Sequence, residues 1–450
     1  MGLHITDSLA LSTVKADEYP APGRGRGSNI DDLFGHSTTV VDQKSQNIDF
    51  LHWLEHAHIG GVDRAGREGM YSITGEQHVG FKDDDISINF QYGISTHDVK
   101  NGGSVTGTGA KGTFKSTATM ETGTGIGSAT LESKDAIRYR AGHECFAEIS
   151  WIFATPAANV NQYAGFKNAA DAWCAGYKGL DFGVWFIEGG NVNFIKQTDF
   201  NVDKMDGSGE SGYLVIPQKA NLYRLSYGWH GFLPLILEVK VGTVWRKAHE
   251  QVFTNVATET HLENPNLPIA GVIERTAGTG ASLKMYTGSW RGGSVAGPKE
   301  TSNADRWFAV TKLDATVAAS PTNTNIFTIR NKAIYNGKSN HILVELAVVT
   351  FDSTLNKTVA VYGTKNATLS GTTWTSVDSV NSVVEYNMGG TVTGGQRGPA
   401  TVIKAGGDRR TDVRGTGIKI HPGDALTFEV SPGGTVNGAF SISARFVEYH

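Results

Sequence analysis

The segment His52-Trp53-Leu54-Glu55-His56 has the residue types and spacing of a metal-dependent catalytic site. It matches the H-x-x-E-H pattern of inverted zinc proteases, in which two histidines one helical turn apart bind zinc. On a helix, positions i and i+4 share one face, so both imidazoles would point the same way. The pattern is short and the chain has 14 histidines, so we favour a chance match and predict no metal or cofactor.

Paired carboxylates are the second kind of chemistry to consider, because a β-jelly-roll glycosidase needs two of them facing one cleft. The central stretch offers Glu148, Asp181, Glu188 and Glu238. None has a second carboxylate at i+2 or i+4 on its own predicted strand, the spacing that would put two acids on one face. Carboxylates on neighbouring strands remain able to meet, so a hydrolase stays an alternative while we predict no enzymatic activity.

The loop around residues 207–212 matches two binding patterns by its letters. Gly207-Ser-Gly-Glu-Ser-Gly212 fits a dinucleotide fingerprint, but no strand–helix–strand unit surrounds it, so no helix N-terminus is available to hold a phosphate. Asp203, Asp206, Ser208 and Glu210 have the alternating oxygens of a calcium loop. Such alternation is also common in ordinary turns, and we interpret the segment as a plain loop.

Aromatic residues are plentiful between positions 173 and 245, namely Trp173, Tyr177, Trp185, Tyr223, Tyr227, Trp229 and Trp245. We expect most of them to lie in the core, because aromatic rings dominate sandwich cores. Trp229 differs in following a glycine in a predicted turn, where it could stack on a sugar or a neighbouring subunit. The candidate partner-binding residues are therefore Trp229, Trp53 of the predicted short helix, and Arg24 and Arg26 of the N-terminal arm.

Composition indicates the elements that would position these residues. The 450 residues include 56 glycines and 39% hydrophobic residues, which suits many short strands joined by tight turns. The net charge of −4 shows no electrostatic footprint for nucleic acid. Two cysteines cannot make a disulfide framework, and we expect them reduced in the core. No secretion signal or membrane-spanning apolar run is visible, so we expect a soluble, cytoplasmically made protein.

Strand-like segments separated by turn residues predict an all-β chain of tandem β-sandwich or jelly-roll domains. Residues 1–60 are predicted to form an extended arm and one short helix. Residues 61–132 form a β-rich segment whose glycine- and threonine-rich part has little apolar area, which favours packing between copies or a surface hairpin. Residues 133–292 are the central jelly roll, 293–302 a linker, and 303–450 a C-terminal sandwich of about eight strands.

Four motifs follow one another in the central domain: Ile137-Arg-Tyr-Arg-Ala-Gly, Ala175-Gly-Tyr-Lys-Gly-Leu-Asp-Phe-Gly-Val, Leu222-Tyr-Arg-Leu-Ser-Tyr-Gly-Trp and Asn264-Pro-Asn-Leu-Pro. In this order they resemble a module of tailed-bacteriophage virion proteins. The resemblance covers about residues 133–292, whose layout is also similar to the concanavalin-like lectin jelly roll. These motifs are turns and strand edges, so they imply a fold and a virion setting and carry over no catalytic residue.

The resemblance implies a structural component of the tail, baseplate or fibre region of a virion, made in the host cytoplasm. Its expected partners are other copies of itself and other virion proteins, because closed homo-oligomers satisfy many identical edges at once. No nucleic acid or membrane insertion is expected. A capsid-decoration or head-fibre protein and a module binding host-surface glycans are the alternatives, ahead of a zinc or glycoside hydrolase.

Overall fold

The computed structural model describes residues 81–139, 143–228, 230–296, 306–318, 323–339, 342–413 and 418–449. The all-β prediction is confirmed: the described residues form two β-sandwiches in tandem, and their only helical elements are single 3₁₀ turns. Those turns span Phe90–Tyr92, Lys100–Gly102 and Gln197–Asp199. The predicted arm and short helix lie outside the described residues.

The first sandwich consists of an eight-stranded and a seven-stranded antiparallel sheet. The eight-stranded sheet has the order β13-β12-β11-β6-β15-β4-β3, with β1 also pairing β15. Its strands are β1 (Phe81–Asn89), β3 (Ala110–Phe114), β4 (Thr117–Glu121), β6 (Glu144–Ile152), β11 (Asn221–Gly228), β12 (Leu235–Val241), β13 (Val244–Gln251) and β15 (Lys284–Ala296).

The seven-stranded sheet has the order β10-β9-β8-β7-β14-β5-β2, so β2 and β3 are edge strands at the same end of the sandwich. Its strands are β2 (Ser104–Gly107), β5 (Gly127–Ala136), β7 (Val160–Lys167), β8 (Ala172–Lys178), β9 (Asp181–Glu188), β10 (Asn191–Lys196) and β14 (Pro268–Arg275).

The core between these sheets follows from alternation along the strands. In β6, Cys145, Ala147, Ile149 and Trp151 are buried in the core, while the intervening residues face outward. A period of two places alternate side chains on opposite faces, which is why this pattern predicts a strand from sequence. Aromatic rings fill the middle of the core, where Trp151 lies 5.9 Å from Trp290 between ring centroids.

The structure joins segments that the sequence pattern separates. Strands β1 to β5, from residues 81–136, belong to the same two sheets as the predicted jelly roll. The first residues of the predicted linker are also part of the sandwich, because β15 continues to Ala296 and pairs with β6 and β1. Gly292 lies in this strand, and it has no room for a side chain, because a Cβ there would lie 2.8 Å from the side chains of Ile137 and Ile269. Its glycine reflects close packing as well as a turn-prone composition.

The second sandwich comprises a five-stranded sheet (β16-β28-β18-β25, with β26 on β18) and a six-stranded sheet (β21-β22-β17-β27-β19-β24) around a separate core. A two-stranded ribbon, β20-β23, lies beside them. The strands are β16 (Arg306–Ala315), β17 (Thr324–Asn331), β18 (Leu343–Ser353), β19 (Val359–Lys365), β20 (Thr368–Ser370), β21 (Thr375–Ser376), β22 (Val384–Asn387), β23 (Thr391–Thr393), β24 (Gln396–Ile403), β25 (Asp408–Asp412), β26 (Lys419–Ile420), β27 (Ala425–Pro432) and β28 (Phe440–Tyr449). Within the described ranges, no helix has the length and apolarity to cross a bilayer.

Gly271 of β14 provides a test of the first core. A Cβ at this position would lie 2.3 Å from Cη2 of Trp151, so we expect Gly271→Ala to destabilise the protein by about 1–3 kcal/mol through overpacking. Gly363→Ala is the control, since its Cβ would meet Cδ1 of Leu426 at an ordinary 3.5 Å. Urea unfolding midpoints measure both; equal midpoints for the two variants would contradict the packing described here.

Candidate functional site

The outward face of the eight-stranded sheet carries a row of alternating charges, which we call the charge row: Lys247, Glu238, Arg224, Glu148 and Arg291. These residues occupy directly opposed positions on β13, β12, β11, β6 and β15, so cations and carboxylates alternate across five neighbouring strands. Opposite charges at opposed positions stabilise a sheet, whereas like charges there would repel. The alternation therefore favours this strand order.

The two carboxylates of the charge row are the pair that sequence spacing along single strands did not find. Glu148 and Glu238 lie on strands separated by β11, which places their backbones roughly 10 Å apart. Arg224 lies between them, with its Nε 2.5 Å from Oε2 of Glu238 and its Nη1 3.9 Å from Oε1 of Glu148. A glycosidase needs that intervening space for the sugar and, when inverting, for a water. Here a guanidinium fills it.

Glu148 has further cationic partners. Lys82 Nζ lies 2.7 Å from its Oε1, and Arg291 Nη1 lies 3.5 Å from its Oε2. The same cations cover aromatic rings: Lys82 is 5.0 Å from the ring centre of Phe146, and Arg224 is 4.7 Å from that of Trp245. The cations therefore bind both the carboxylates and the aromatic rings of this outward face.

A second polar group lies where the two sandwiches meet, and we call it the junction cluster: Lys134, Asp135, Lys365, Lys419, His421 and Asp424. The first two residues belong to β5 of the first sandwich, and the other four to the second sandwich. Two hydrogen bonds from side chains to backbone carbonyl oxygens also join the two sandwiches. Lys338 Nζ donates to the Glu263 carbonyl oxygen at 2.5 Å, and Asn264 Nδ2 donates to that of Ser339 at 2.6 Å.

His421 is the centre of the junction cluster. It opens the turn His421-Pro-Gly-Asp424 between β26 and β27, which holds its Nδ1 3.1 Å from Oδ2 of Asp424. Its Nε2 contacts Oδ1 of Asp135 in the other sandwich. Carboxylates only accept, so both ring nitrogens donate only when the imidazole is a cation. A charged histidine thus bridges two acids and joins the sandwiches.

The pKa values of the junction cluster follow from this geometry. Burial lowers the pKa of His421, but its hydrogen bonds to Asp135 and Asp424 outweigh burial, and the net shift is upward. Burial raises the pKa of Asp135, yet its contacts with His421 and Lys419 lower it to about 2. The pKa of Asp424 is also shifted downward overall, through His421, Lys365 and Asn366. Asp135 and Asp424 therefore stay ionised, and His421 stays protonated to a higher pH than an ordinary histidine.

The junction cluster borders a cavity of about 20 Å³, lined by Lys134, Asp135, Ala136, Arg138, Asn266, Leu343, His421 and Pro422. That volume holds about one water molecule, far less than the roughly 300 Å³ or more of a typical ligand pocket. Arg138 is fixed beside it by Asp85 at 3.0 Å, and its guanidinium lies 4.6 Å from the ring centre of Tyr449. The junction is suited to docking two domains.

The structure tests none of the predicted partner-binding residues. Arg24, Arg26, Trp53 and Trp229 lie outside the described residues, as do His52 and His56. Four of the other aromatic residues lie in the core of the first sandwich, which confirms that most would be core: Trp173, Tyr177, Tyr223 and Tyr227. Trp185 is buried in a small separate apolar cluster, and Trp245 is buried beneath Arg224 on the outward face. Cys145 and Cys174 are buried free thiols, as expected, and burial raises the pKa of each well above its usual value.

The loop considered for calcium uses its carboxylates locally. Asp203 accepts hydrogen bonds from the backbone amides of Met205 and Ser211, each at 2.8 Å. Asp206 accepts from the amide of Ser208 at 2.8 Å and from its hydroxyl at 2.6 Å. These are turn-forming contacts of the kind aspartate makes in loops. Across the part of the chain that the structure describes, no group of three or more His, Cys, Asp or Glu residues is placed to hold a metal ion.

No protein-family model matches the sequence, and a search of curated proteins finds no match. Among solved structures, the chain is similar to a protein of unknown function from Shewanella oneidensis MR-1 (8% identity, 48% of this chain, 89% of that one, TM-score 0.33). The lectin UEA-II complexed with galactose matches at 9% identity over 48% and 100% of the chains, with a TM-score of 0.30.

A xylan β-1,4-xylosidase from Bacillus halodurans C-125 matches at 10% identity and a TM-score of 0.28. The match covers 47% of this chain and 40% of the xylosidase. Identities and TM-scores this low do not indicate what this chain binds or catalyses.

Arg224 provides a test of the charge row. Arg224→Met leaves Glu238 without the cation beside it, and both side chains are largely buried, at 8% and 12% exposure. Removing one partner of a buried pair leaves an uncompensated charge, so we expect a loss of roughly 3 kcal/mol in urea unfolding at pH 7. The double variant Arg224→Met/Glu238→Gln should recover part of it.

Arg291→Met is the control for this variant, because Arg291 is 43% exposed and Glu148 keeps Lys82. Its expected effect is below about 1 kcal/mol, as for other exposed pairs. If Arg224→Met and Arg291→Met lower the free energy of unfolding equally, the charge row contains no buried ion pair that stabilises the fold.

His421 makes stability depend on pH with a definite sign. Its pKa is raised in the folded state, so its contribution is complete below the unfolded value of about 6.5 and is lost as pH rises through the folded pKa. His421→Gln should lower stability at pH 6 by roughly 1–3 kcal/mol, the value of hydrogen bonds to charged groups, and by less at pH 9. Unfolding midpoints of both proteins at each pH measure this difference.

Other titrating groups are common to both proteins, so the difference between them isolates His421. The low pKa of Asp135, about 2, adds stability that is present above about pH 4 and lost as pH falls towards 2. A difference between the two proteins that stays constant from pH 6 to pH 9 would show that the ionisation of His421 does not hold the junction.

Proposed function

We propose that this chain is a self-associating structural component of a tailed-bacteriophage virion, acting by assembly rather than by catalysis. The virion setting is supported by the turn and strand-edge motifs of residues 133–292, which resemble a virion module. The tail, baseplate or fibre region is the proposed location, with capsid decoration as the alternative. The molecule offers two sandwiches as its building units.

One observation carries the assembly role. The glycine- and threonine-rich stretch forms β2 and β3, and in the described structure these are the outermost strands of both sheets at one end of the first sandwich. Apolar side chains are exposed on and beside them: Val105 is 47% exposed, Phe114 52%, Ile126 62% and Tyr92 93%. An unpaired edge next to exposed apolar groups is a template for another chain.

The polar groups of the described residues support a non-catalytic role. The acids of the charge row are paired with the cations Arg224, Arg291 and Lys82, which hold them across neighbouring strands. The junction cluster uses its acids and His421 to dock the two sandwiches. Both networks use ionised groups to maintain a shape, which is what a structural component requires.

The proposal is tested on the full-length protein and on purified tailed-phage particles that carry its coding sequence. We expect mass spectrometry to detect the chain in the particles, and sedimentation velocity to show the purified protein as an oligomer. Absence from the particles together with a strictly monomeric protein would contradict the proposal. Release of reducing sugar from a glycan panel would instead indicate a hydrolase, and retained binding without release would indicate a glycan-binding module.

A further inference from the structure

The hairpin of β3 and β4 determines which backbone groups of the edge are open. Its two-residue turn, Lys115-Ser116, has φ values of 45° and 61°, typical of the tight turns that close antiparallel hairpins. The flanking pair Phe114 and Thr117 is therefore hydrogen-bonded, and such pairs alternate with non-bonded ones. Phe114, Gly112 and Ala110 bond to β4, whereas the N–H and C=O groups of Lys111 and Thr113 point away from it.

The devices that normally protect a sheet edge are weak here. Natural edges are often shielded by charged side chains, especially lysine, which repel or block a second strand. Lys111 is the charged residue of β3, and its Nζ bends back to the carbonyl oxygens of Gly102 and Gly103. On neighbouring β4, Glu121 is paired with Lys284 at 2.6 Å. The outward side of β3 thus presents backbone groups, and the ammonium group of Lys111, its one charged residue, is directed away from them.

The open groups are self-complementary. When β3 runs antiparallel to an identical strand with Gly112 opposite Gly112, Lys111 lies opposite Thr113 of the other copy and the reverse. Opposed residues of this kind exchange both N–H···O=C bonds, so the pairing forms four hydrogen bonds and leaves Gly112 at a non-bonded position. A twofold axis through Gly112 produces this register from the same residues of both copies, as an isologous interface requires.

We infer that β3 pairs antiparallel with β3 of a second copy across a twofold axis at Gly112, extending the eight-stranded sheet from one subunit into the next. The inference rests on the proposed function, since it names the surface through which the chain self-associates. Phe114 and Tyr92 flank the new strand pair, and Val105 and Ile126 of the adjacent sheet edge lie beside it, so the contact buries apolar area that the single chain exposes.

A cysteine introduced at Gly112 tests the axis directly. The native thiols Cys145 and Cys174 are fully buried, so an introduced thiol is the reactive one among the described residues. At a non-bonded antiparallel position, the two Cα atoms lie about 4.5 Å apart, within the range that a disulfide spans. Full-length Gly112→Cys should form a covalent dimer under mild oxidation. Val192→Cys, on the opposite edge strand β10 and 48% exposed, is the matched control.

Proline at Thr113 tests the hydrogen bonds. Thr113→Pro removes an N–H that points away from β4, so the hairpin keeps its own bonds while the inferred pairing loses two of four. Self-association measured by sedimentation should weaken at least tenfold. Thr113→Ala keeps the N–H and should associate like the original protein, and the unfolding midpoints of both variants check that the fold is retained.

The outcomes separate the inference from the proposed function. If the full-length protein associates, but Gly112→Cys crosslinks no faster than Val192→Cys and the proline variant associates normally, the edge inference is wrong and the assembly role stands. If the full-length protein is monomeric, the edge inference is wrong, and the mass spectrometry of purified particles then decides whether the proposed function stands. If the introduced thiol of Gly112→Cys is protected from maleimide in a monomer, another part of the same chain covers the edge, which also overturns the inference.

Discussion

Backbone hydrogen bonding between antiparallel strands is the constraint on which this structure depends. Inner strands of the first sandwich, such as β6 between β11 and β15, satisfy their amides and carbonyls on both sides. Edge strands satisfy only one side, and a sandwich cannot avoid having edges. This chain forms one pair of edges, β2 and β3, from its glycine- and threonine-rich stretch. Such a stretch gains little from burial within one chain and most from a second strand beside it.

Ion pairs favour the strand order of the eight-stranded sheet and join the two sandwiches, and neither effect comes from the apolar cores. Arg224 between Glu148 and Glu238 lies across three strands of one sheet, so it favours their order and register. His421 between Asp135 and Asp424 joins the two sandwiches, each of which has its own core. In both places a cation lies between two acids. Such an arrangement constrains the positions of all three side chains, because removing one partner would leave a largely buried charge unpaired.

Sequence patterns predicted much of the fold because strand formation is local. The alternation of buried and outward residues along β6 is visible in the sequence, and the turn residues Pro422 and Gly423 mark the break between β26 and β27. Buried aromatic residues were also predictable, since large rings between turn signals have few other places to pack. The tandem arrangement of two sandwiches follows from the same local signals, repeated on both sides of a glycine-rich break.

The remaining features depend on which strands meet, and that information is not local. Glu148 and Glu238 belong together only because β11 lies between β6 and β12. Asp135 and His421 are 286 positions apart and have no sequence signal that joins them. Residues 293–296 look like the start of a linker in the sequence, although β15 continues through them and pairs with β1 and β6. The separation of residues 61–132 from the jelly roll had the same cause, because pairing of β5 with β14 spans more than a hundred residues.

The central claim is that the outward amides of β3 are occupied by another copy of the chain. Residue-resolved hydrogen exchange of the full-length protein at two concentrations measures this most directly. The account predicts that the amides of Lys111 and Thr113 exchange rapidly in dilute solution and become protected as the concentration rises, while those of Gly112 and Phe114 are protected throughout by β4. Rapid exchange of Lys111 and Thr113 in the concentrated protein, at the rate found on dilution, would contradict it.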